Sequence, residues 1–370
     1  MKREKNMPII EIGNNKKYEL LSILAVGTSG NIFKGEDIET GRIVAIKIKT
    51  KISSLTRAEG TILSLLNHPN IVELVSYNHI REIGYIVMGY ANSGDLHSYI
   101  NERKIKNEYQ ARNIFQQISR GLCHAHSVNI CHRDIKPENI IIFDQTRFVL
   151  GDWGFATSFS RKRGHVQRCG SLGFCSPELL LGKPYIGPEV DIWALGVTLY
   201  TLMEGRCPFF GIDVDETVDL IVNGLYIIPF NWSDELADLF SRMLTINPKE
   251  RITINQILEH PWMKLDESVG CYSNNYLRKK EIIDSPSVST WKSRPLSNST
   301  LSHRDGRTSR FLRQPSIDII KREAEPYGNI PVVPLLDFLA ENDEEKESTK
   351  KTKLSKLSPR SLWRSFRKRN

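Results

Sequence analysis

The stretch His132-Arg133-Asp134-Ile135-Lys136-Pro137-Glu138-Asn139 sets a carboxylate, an amine and a carboxamide within six residues, and Gly151-Asp152-Trp153-Gly154 adds a second carboxylate just downstream. Far upstream, Gly27 and Gly30 interrupt two apolar stretches, and Lys47 closes the run Val44-Ala45-Ile46-Lys47. Moving a phosphoryl group from a nucleotide asks a protein for positioning and charge neutralisation more than for covalent chemistry. It needs a backbone cradle over the phosphates, a cation upon them, carboxylate and amide ligands for magnesium, and a carboxylate beside the accepting hydroxyl. The residues just named supply each part, in one order. Singly they carry little: glycines in a hairpin are usually turn chemistry, and a lone lysine on a strand is usually solvated. Their joint order carries the information.

The elements that must position these groups can be read from periodicity. Residues 18–48 read as short strands, with apolar alternation in YELLSILAV and a second run, IVAIKI, after the turn ETGR. A helix is expected over residues 56–66, because Ile62, Leu63, Leu65 and Leu66 gather on one side while Arg57, Glu59 and Asn67 do not. Gly60 weakens that helix by about 1 kcal/mol relative to alanine, so it is expected to be mobile. HPNIVEL and GYIVMGY read as two further strands. From Leu96 onward the pattern is mainly helical, through DLHSYINERK, YQARNIFQQISRGLCHAHS, VDIWALGVTLYTLMEG, LADLFSRML and INQILEH. The fold class this order predicts is α+β, a small β-rich lobe followed by a large helical one.

After HPWMKLD the texture changes to Ser, Asn, Lys and Arg with few periodic apolar positions, a composition that buries too little to offset its ordering entropy. Residues 1–17 are read as an N-terminal extension, 18–266 as the catalytic domain and 267–370 as a low-order tail. The net charge of +8 belongs to that tail, which holds 21 Lys+Arg and 13 Asp+Glu and leaves 30 of each sign in residues 1–266. A basic nucleic-acid-binding protein is therefore disfavoured. The six cysteines have no C-x-x-C spacing, which fits reduced thiols. No apolar run is long enough for a membrane span or signal peptide, so the expected location is cytoplasmic, nuclear or both.

These motifs together resemble the eukaryotic protein kinase superfamily, serine/threonine type, over residues 18–266; the subgroup, calcium/calmodulin-kinase-like or a related fungal-type one, stays open. The resemblance implies ATP and magnesium as cofactors. It assigns Asp134 to the substrate hydroxyl, Lys136 to the transferring phosphoryl group, Lys47 to the nucleotide phosphates, and Asn139 and Asp152 to the metal. Glu59 is similar to the helix glutamate that pairs with the strand lysine. Nucleotide contacts are implied from Val26, Gly27, Gly30, Ile32, Ala45, Lys47, Met88, Tyr90, Asp95 and Ile141, with Ala25 where the first loop glycine is usual. Trp153 stands where phenylalanine is usual and would pack between His132 and Leu63. Glu178, in Ser176-Pro177-Glu178, would pair with Arg251, and Asp191 would hold the catalytic loop. Gln167 falls where many members carry an activating phosphothreonine facing Arg133. Phosphorylation there is accordingly not expected to be needed, and Ser171 is expected to bond Asp134 and Lys136.

Lys136-Pro137-Glu138 points to Ser/Thr rather than tyrosine, and Glu138 to substrates with an upstream arginine. The protein partners implied are substrates, for an enzyme expected to be monomeric; the rival reading is a pseudokinase scaffold, which generally lacks one of the parts present here. In the tail, Arg313 precedes Ser316 by three residues, either by chance or as an autophosphorylation or pseudosubstrate site. Residues 350–370 carry nine Lys+Arg and no acid. They read as a solvated end, a nucleic-acid or nuclear-import patch, or, through Leu362, Trp363 and Phe366, an amphipathic segment for an acidic membrane surface or a regulatory partner.

Overall fold

The computed structural model describes residues 8–265, apart from residues 13–15, 28–29, 50–53, 81–82, 103, 106, 145, 161–163 and 168. The tail readings, Cys271, and the sites at Arg313 and Ser316 lie outside the described residues. The N-terminal lobe is an antiparallel sheet of β1 (Ile9–Ile12), β2 (Lys16–Gly27), β3 (Gly30–Asp37), β4 (Ile43–Lys49), β5 (Leu74–Ile80) and β6 (Ile83–Gly89). Its order is β1-β2-β3-β4-β6-β5, with helix α1 (Ser54–Ser64) laid across β5 and β6.

One face of this sheet closes a small core of Ile12, Tyr18, Leu20, Val44, Ile46 and Val87. Part of the stretch read as an extension therefore belongs to the lobe: Ile9–Ile12 pairs with β2, and its alternation turns Ile10 and Ile12 inward while Ile9 and Glu11 face solvent. HPNIVEL also differs from its reading, since β5 starts only at Leu74. Its middle turns to the other lobe instead, where the Val72 amide donates to the Leu150 carbonyl (2.9 Å) and the Leu150 amide to the Asn70 carbonyl (2.9 Å). Ile62, Leu63 and Leu66 are buried as expected, but Leu65 is 60% exposed, because the chain leaves the helix at Ser64.

The C-terminal lobe is built from α2 (Leu96–Asn101), α3 (Glu108–Ser127), α4 (Pro177–Leu180), α5 (Pro188–Glu204), α6 (Val214–Asn223), α7 (Asp234–Met243), α8 (Ile254–Glu259) and α9 (Pro261–Lys264). Thirteen of the seventeen residues of α5 are buried, so it runs through the lobe's core as a helix apolar on all sides. Two short antiparallel pairs belong to this lobe, β7 (Ile130–Cys131) with β10 (Thr157–Ser158), and β8 (Ile140–Ile142) with β9 (Phe148–Leu150). Arg251 holds α4 down through a buried bidentate pair with Glu178 (2.7 and 3.0 Å). No helix among the described residues is long and apolar enough to cross a membrane.

Gly60 explains how α1 reaches the sheet. A Cβ there would stand 2.4 Å from Cδ2 and 2.6 Å from Cγ of Tyr77 on β5, so only glycine lets the helix approach this closely. Gly60→Ala should lower the midpoint of thermal unfolding although alanine is the better helix former. Adding Tyr77→Ala should recover much of that loss, and additive effects of the two changes in a double-mutant cycle would rule the contact out.

Candidate active site

Along β4 the pleat sends Val44, Ile46 and Ile48 into the small core and Ala45, Lys47 and Lys49 to the opposite face, towards the large lobe. Cross-strand register sets Ile32 beside Lys47 and Met88 beside Ala45 on that face. Gly27 and Gly30 pair at the end of the β2–β3 hairpin above it. Tyr90, just past β6, has the Lys34 ammonium 5.0 Å from its ring centroid. Val26 is not part of this set. It lies opposite Asn31, one position out of phase with the Ala25–Ile32 pair, so the pleat points it to the other face, where it is 74% exposed. From below, Ile141 on β8 bridges to Asp95. Asp95 has a structural task besides: its side chain caps α2 by accepting from the Ser98 amide at 2.7 Å.

Lys47 is 1% exposed and donates to Glu59 Oε1 at 2.9 Å and to Asp152 Oδ1 at 2.7 Å. The helix expected to be mobile is thus joined to both the sheet and the second carboxylate. Burial works to lower the Lys47 pKa, but the Asp152 and Glu59 carboxylates outweigh it and leave it above the usual lysine value. Burial likewise pushes Asp152 up, and Lys47 outweighs it, holding the carboxyl well below the usual range. Lys49, which the sequence reading passed over, lies 2.6 Å from Glu59 Oε2, an ion contact outside hydrogen-bond geometry. Its signal was the two-residue spacing from Lys47, which on a strand means a shared face.

The second group sits on the loop after β7. Asp134 is 6% exposed; its Oδ2 accepts from Asn139 Nδ2 at 2.8 Å and lies 3.2 Å from the Lys136 ammonium. Ser171 meets both partners as expected, accepting from Lys136 at 2.8 Å and donating to Asp134 Oδ1 at 3.4 Å. Asp191, fully buried on α5, accepts from the amides of His132 (2.9 Å) and Arg133 (2.7 Å) and contacts His126 Nε2 (2.9 Å). This fixes the turn in which Arg133 takes a left-handed φ of 68°.

The two groups are joined beneath the cleft. Gly151 donates from its amide to the Asn139 carbonyl (2.8 Å), and its own carbonyl contacts His132 Nε2 (2.8 Å). Asp152, with φ 43°, follows directly. Trp153 is fully buried, its ring 4.6 Å from that of His132, in the same core as Leu63. Its indole N–H donates to the Leu150 carbonyl at 3.2 Å, a bond phenylalanine has no means to make. The five cysteines among the described residues are free, and burial raises the thiol pKa of Cys131 and Cys175.

A strand-rich lobe over a helical one, with a lysine–glutamate pair above and an Asp–Lys–Asn loop below, is the bilobal kinase architecture. The chain belongs to the protein kinase domain family, whose model matches residues 18–263. It is similar to NUAK family SNF1-like kinase 1 of mouse, 37% identical over 254 residues, and of human, 38% identical over 254 residues. Each alignment covers 67% of this chain but only 38% of the relative, so the chain matches well under half the length of those proteins.

The Lys47–Asp152 contact sets a pH dependence of stability. Asp152, with its lowered pKa, contributes stability that is complete above the ordinary carboxylate pKa of about 4 and is lost as pH falls through the folded value. Lys47, with its raised pKa, contributes stability complete below the ordinary lysine pKa of about 10 and lost as pH rises through its folded value. The difference in thermal midpoint between wild type and Asp152→Asn should therefore be constant from about pH 5 to 9 and change below about pH 4. A slope within the neutral range would contradict the assignment.

Proposed function

We propose that this chain is an ATP-dependent serine/threonine protein kinase that moves the γ-phosphoryl group of ATP onto Ser and Thr hydroxyls of protein substrates. Family membership and the similarity to proteins named as SNF1-like kinases support the reading. The observation that carries it is the pairing of Lys47 with Glu59 and Asp152 above an Asp134 already held by Asn139, Lys136 and Ser171.

The donor set fits magnesium. Among the described residues, both hydrogen bonds of the Asn139 carboxamide leave from Nδ2, to Asp134 O and Oδ2, which leaves its oxygen for a cation. Lys47 and the Gly154 amide occupy only Oδ1 of Asp152, which leaves its second oxygen for the same ion. These are hard oxygen donors of the kind magnesium takes. Bound there, the ion would neutralise charge on the terminal phosphates of the nucleotide. Lys47 holds the inner phosphates, and Glu59 keeps Lys47 from turning away. Asp134 orients the acceptor hydroxyl and takes its proton, while Lys136, one bond away, faces the group being transferred.

Glu138 supports a preference for substrates with an upstream arginine. Its Oε1 lies 3.6 Å from His97 Nδ1, and the side chain is 30% exposed beside the loop that carries Asp134, so its carboxylate is open to a substrate guanidinium.

Incubation with labelled ATP, magnesium and an oriented peptide library tests the proposal. Wild type should incorporate phosphate into Ser/Thr peptides and Asp134→Asn should lose at least about a thousandfold of that rate, given the proton-transfer and orienting roles assigned to it. Equal, negligible incorporation in both would favour a scaffold. Glu138→Gln should lower kcat/KM about tenfold for arginine-containing peptides alone, the worth of one charge-assisted bond; a uniform loss over all peptides would refute the substrate preference.

A further inference from the structure

Arg133 has no carboxylate partner among the described residues, although it is 4% exposed. Its guanidinium is met by neutral oxygens on three sides: Nε donates to the Phe155 carbonyl (2.8 Å), one terminal nitrogen to the Tyr185 hydroxyl (3.1 Å) and the other to Gln167 Oε1 (3.2 Å). Tyr185 passes the connection on, donating its hydroxyl to the Gln167 carbonyl at 2.6 Å. Burial raises the Tyr185 phenol pKa, so it keeps the proton that this bond requires. The backbones of His165 and Tyr185 also exchange two hydrogen bonds, at 2.6 and 3.0 Å.

These contacts fasten residues 165–167 to the loop that carries Asp134. Four residues past Gln167, Ser171 reaches Lys136 and Asp134 themselves. Between them Gly170 has φ 101°, and a Cβ there would stand 3.1 Å from the Arg133 carbonyl. Gln167 is thus only four residues from the serine that meets the acid beside the acceptor, with Gly170 fitted closely against the Arg133 carbonyl between them. Glutamine bears no hydroxyl and takes no phosphate. Thr157 and Ser158, which could, have their backbones paired with Cys131 and Ile130 in the β7–β10 ladder, and neither is among the hydrogen-bond partners of Arg133.

We propose that Gln167 is a positioning residue: through Arg133 and Tyr185 it latches residues 165–167 onto the catalytic loop without any covalent modification, so the enzyme is active as synthesised. The inference rests on the kinase reading above, and its consequences extend to regulation, since no activating phosphate is needed at this position.

The test uses the full chain made in bacteria, stripped by a phosphatase and shown by mass to be phosphate-free. It should be active, and phosphatase treatment should leave its kcat unchanged. Gln167→Ala should lower kcat about tenfold, the worth of one bond to a buried cation, with KM for ATP within about twofold. Amide hydrogen exchange over residues 164–171 should quicken in that variant. Gln167→Glu, which keeps the acceptor, should restore both readouts. A phosphate-free wild type that is inert until Thr157, Ser158 or Ser160 is phosphorylated would overturn the proposal, as would a Gln167→Ala protein with wild-type kcat and exchange. If no form transfers phosphate, exchange alone decides: faster exchange in Gln167→Ala upholds the latch while the kinase reading fails, and unchanged exchange removes both.

Discussion

A charged ammonium cannot be buried unpaired, and the small lobe is arranged around that constraint. Lys47 is 1% exposed, so its charge must be met by carboxylates brought from elsewhere in the chain. Glu59 comes from α1 and Asp152 from the turn beyond β9, so one side chain on β4 ties together three elements that sequence separates widely. With Lys49 on the other oxygen of Glu59, the cluster holds two ammonium groups and two carboxylates and is formally neutral. The close approach of α1 over Gly60 follows from the same need, since a helix held further off would leave Glu59 short of the strand.

The large lobe solves a different problem. Its catalytic loop is a tight turn of strained backbone, and Asp191 fixes it by accepting from two consecutive amides. Arg251 and Glu178 hold α4 through a pair closed to solvent at 0% and 3% side-chain exposure. Such a pair adds little net stability but sets register, because leaving either charge alone in the core is severe. The floor of the site is thus held by contacts within the large lobe, and the roof by the ion pairs of Lys47.

Much of this was legible in the sequence, because catalytic groups in consecutive stretches carry their own geometry. His132 to Asn139 and Gly151 to Gly154 marked the loop and both acids, and the pairing of Glu178 with Arg251 was also anticipated. What escaped depended on contacts between distant segments. Ile9–Ile12 is too short to read as a strand until β2 offers it a partner. Val26 was misplaced because the hairpin register, not the glycine spacing, decides which face a residue takes. Gly60 read as a weak point in a helix, when the Tyr77 ring makes it the condition for docking that helix. Tyr185 carried no signal at all, since its role exists only where the chain folds back over Arg133.

Two cations, Lys47 and Arg133, are buried within this one site and are satisfied in opposite ways. Lys47 is neutralised by charge, so its geometry depends on which carboxylates are near and on their ionisation. Arg133 is satisfied by donors finding acceptors, each branch of its planar fork meeting a neutral oxygen. A delocalised guanidinium tolerates this because its charge is spread over the nitrogens that make the bonds, whereas a compact ammonium would not. Acceptors of this kind are part of the chain and present from the moment it folds, so the floor requires no added anion. On the kinase reading proposed above, ligand-dependent adjustment would be concentrated in the roof, where nucleotide phosphates would compete with the Asp152 carboxylate for the same ammonium.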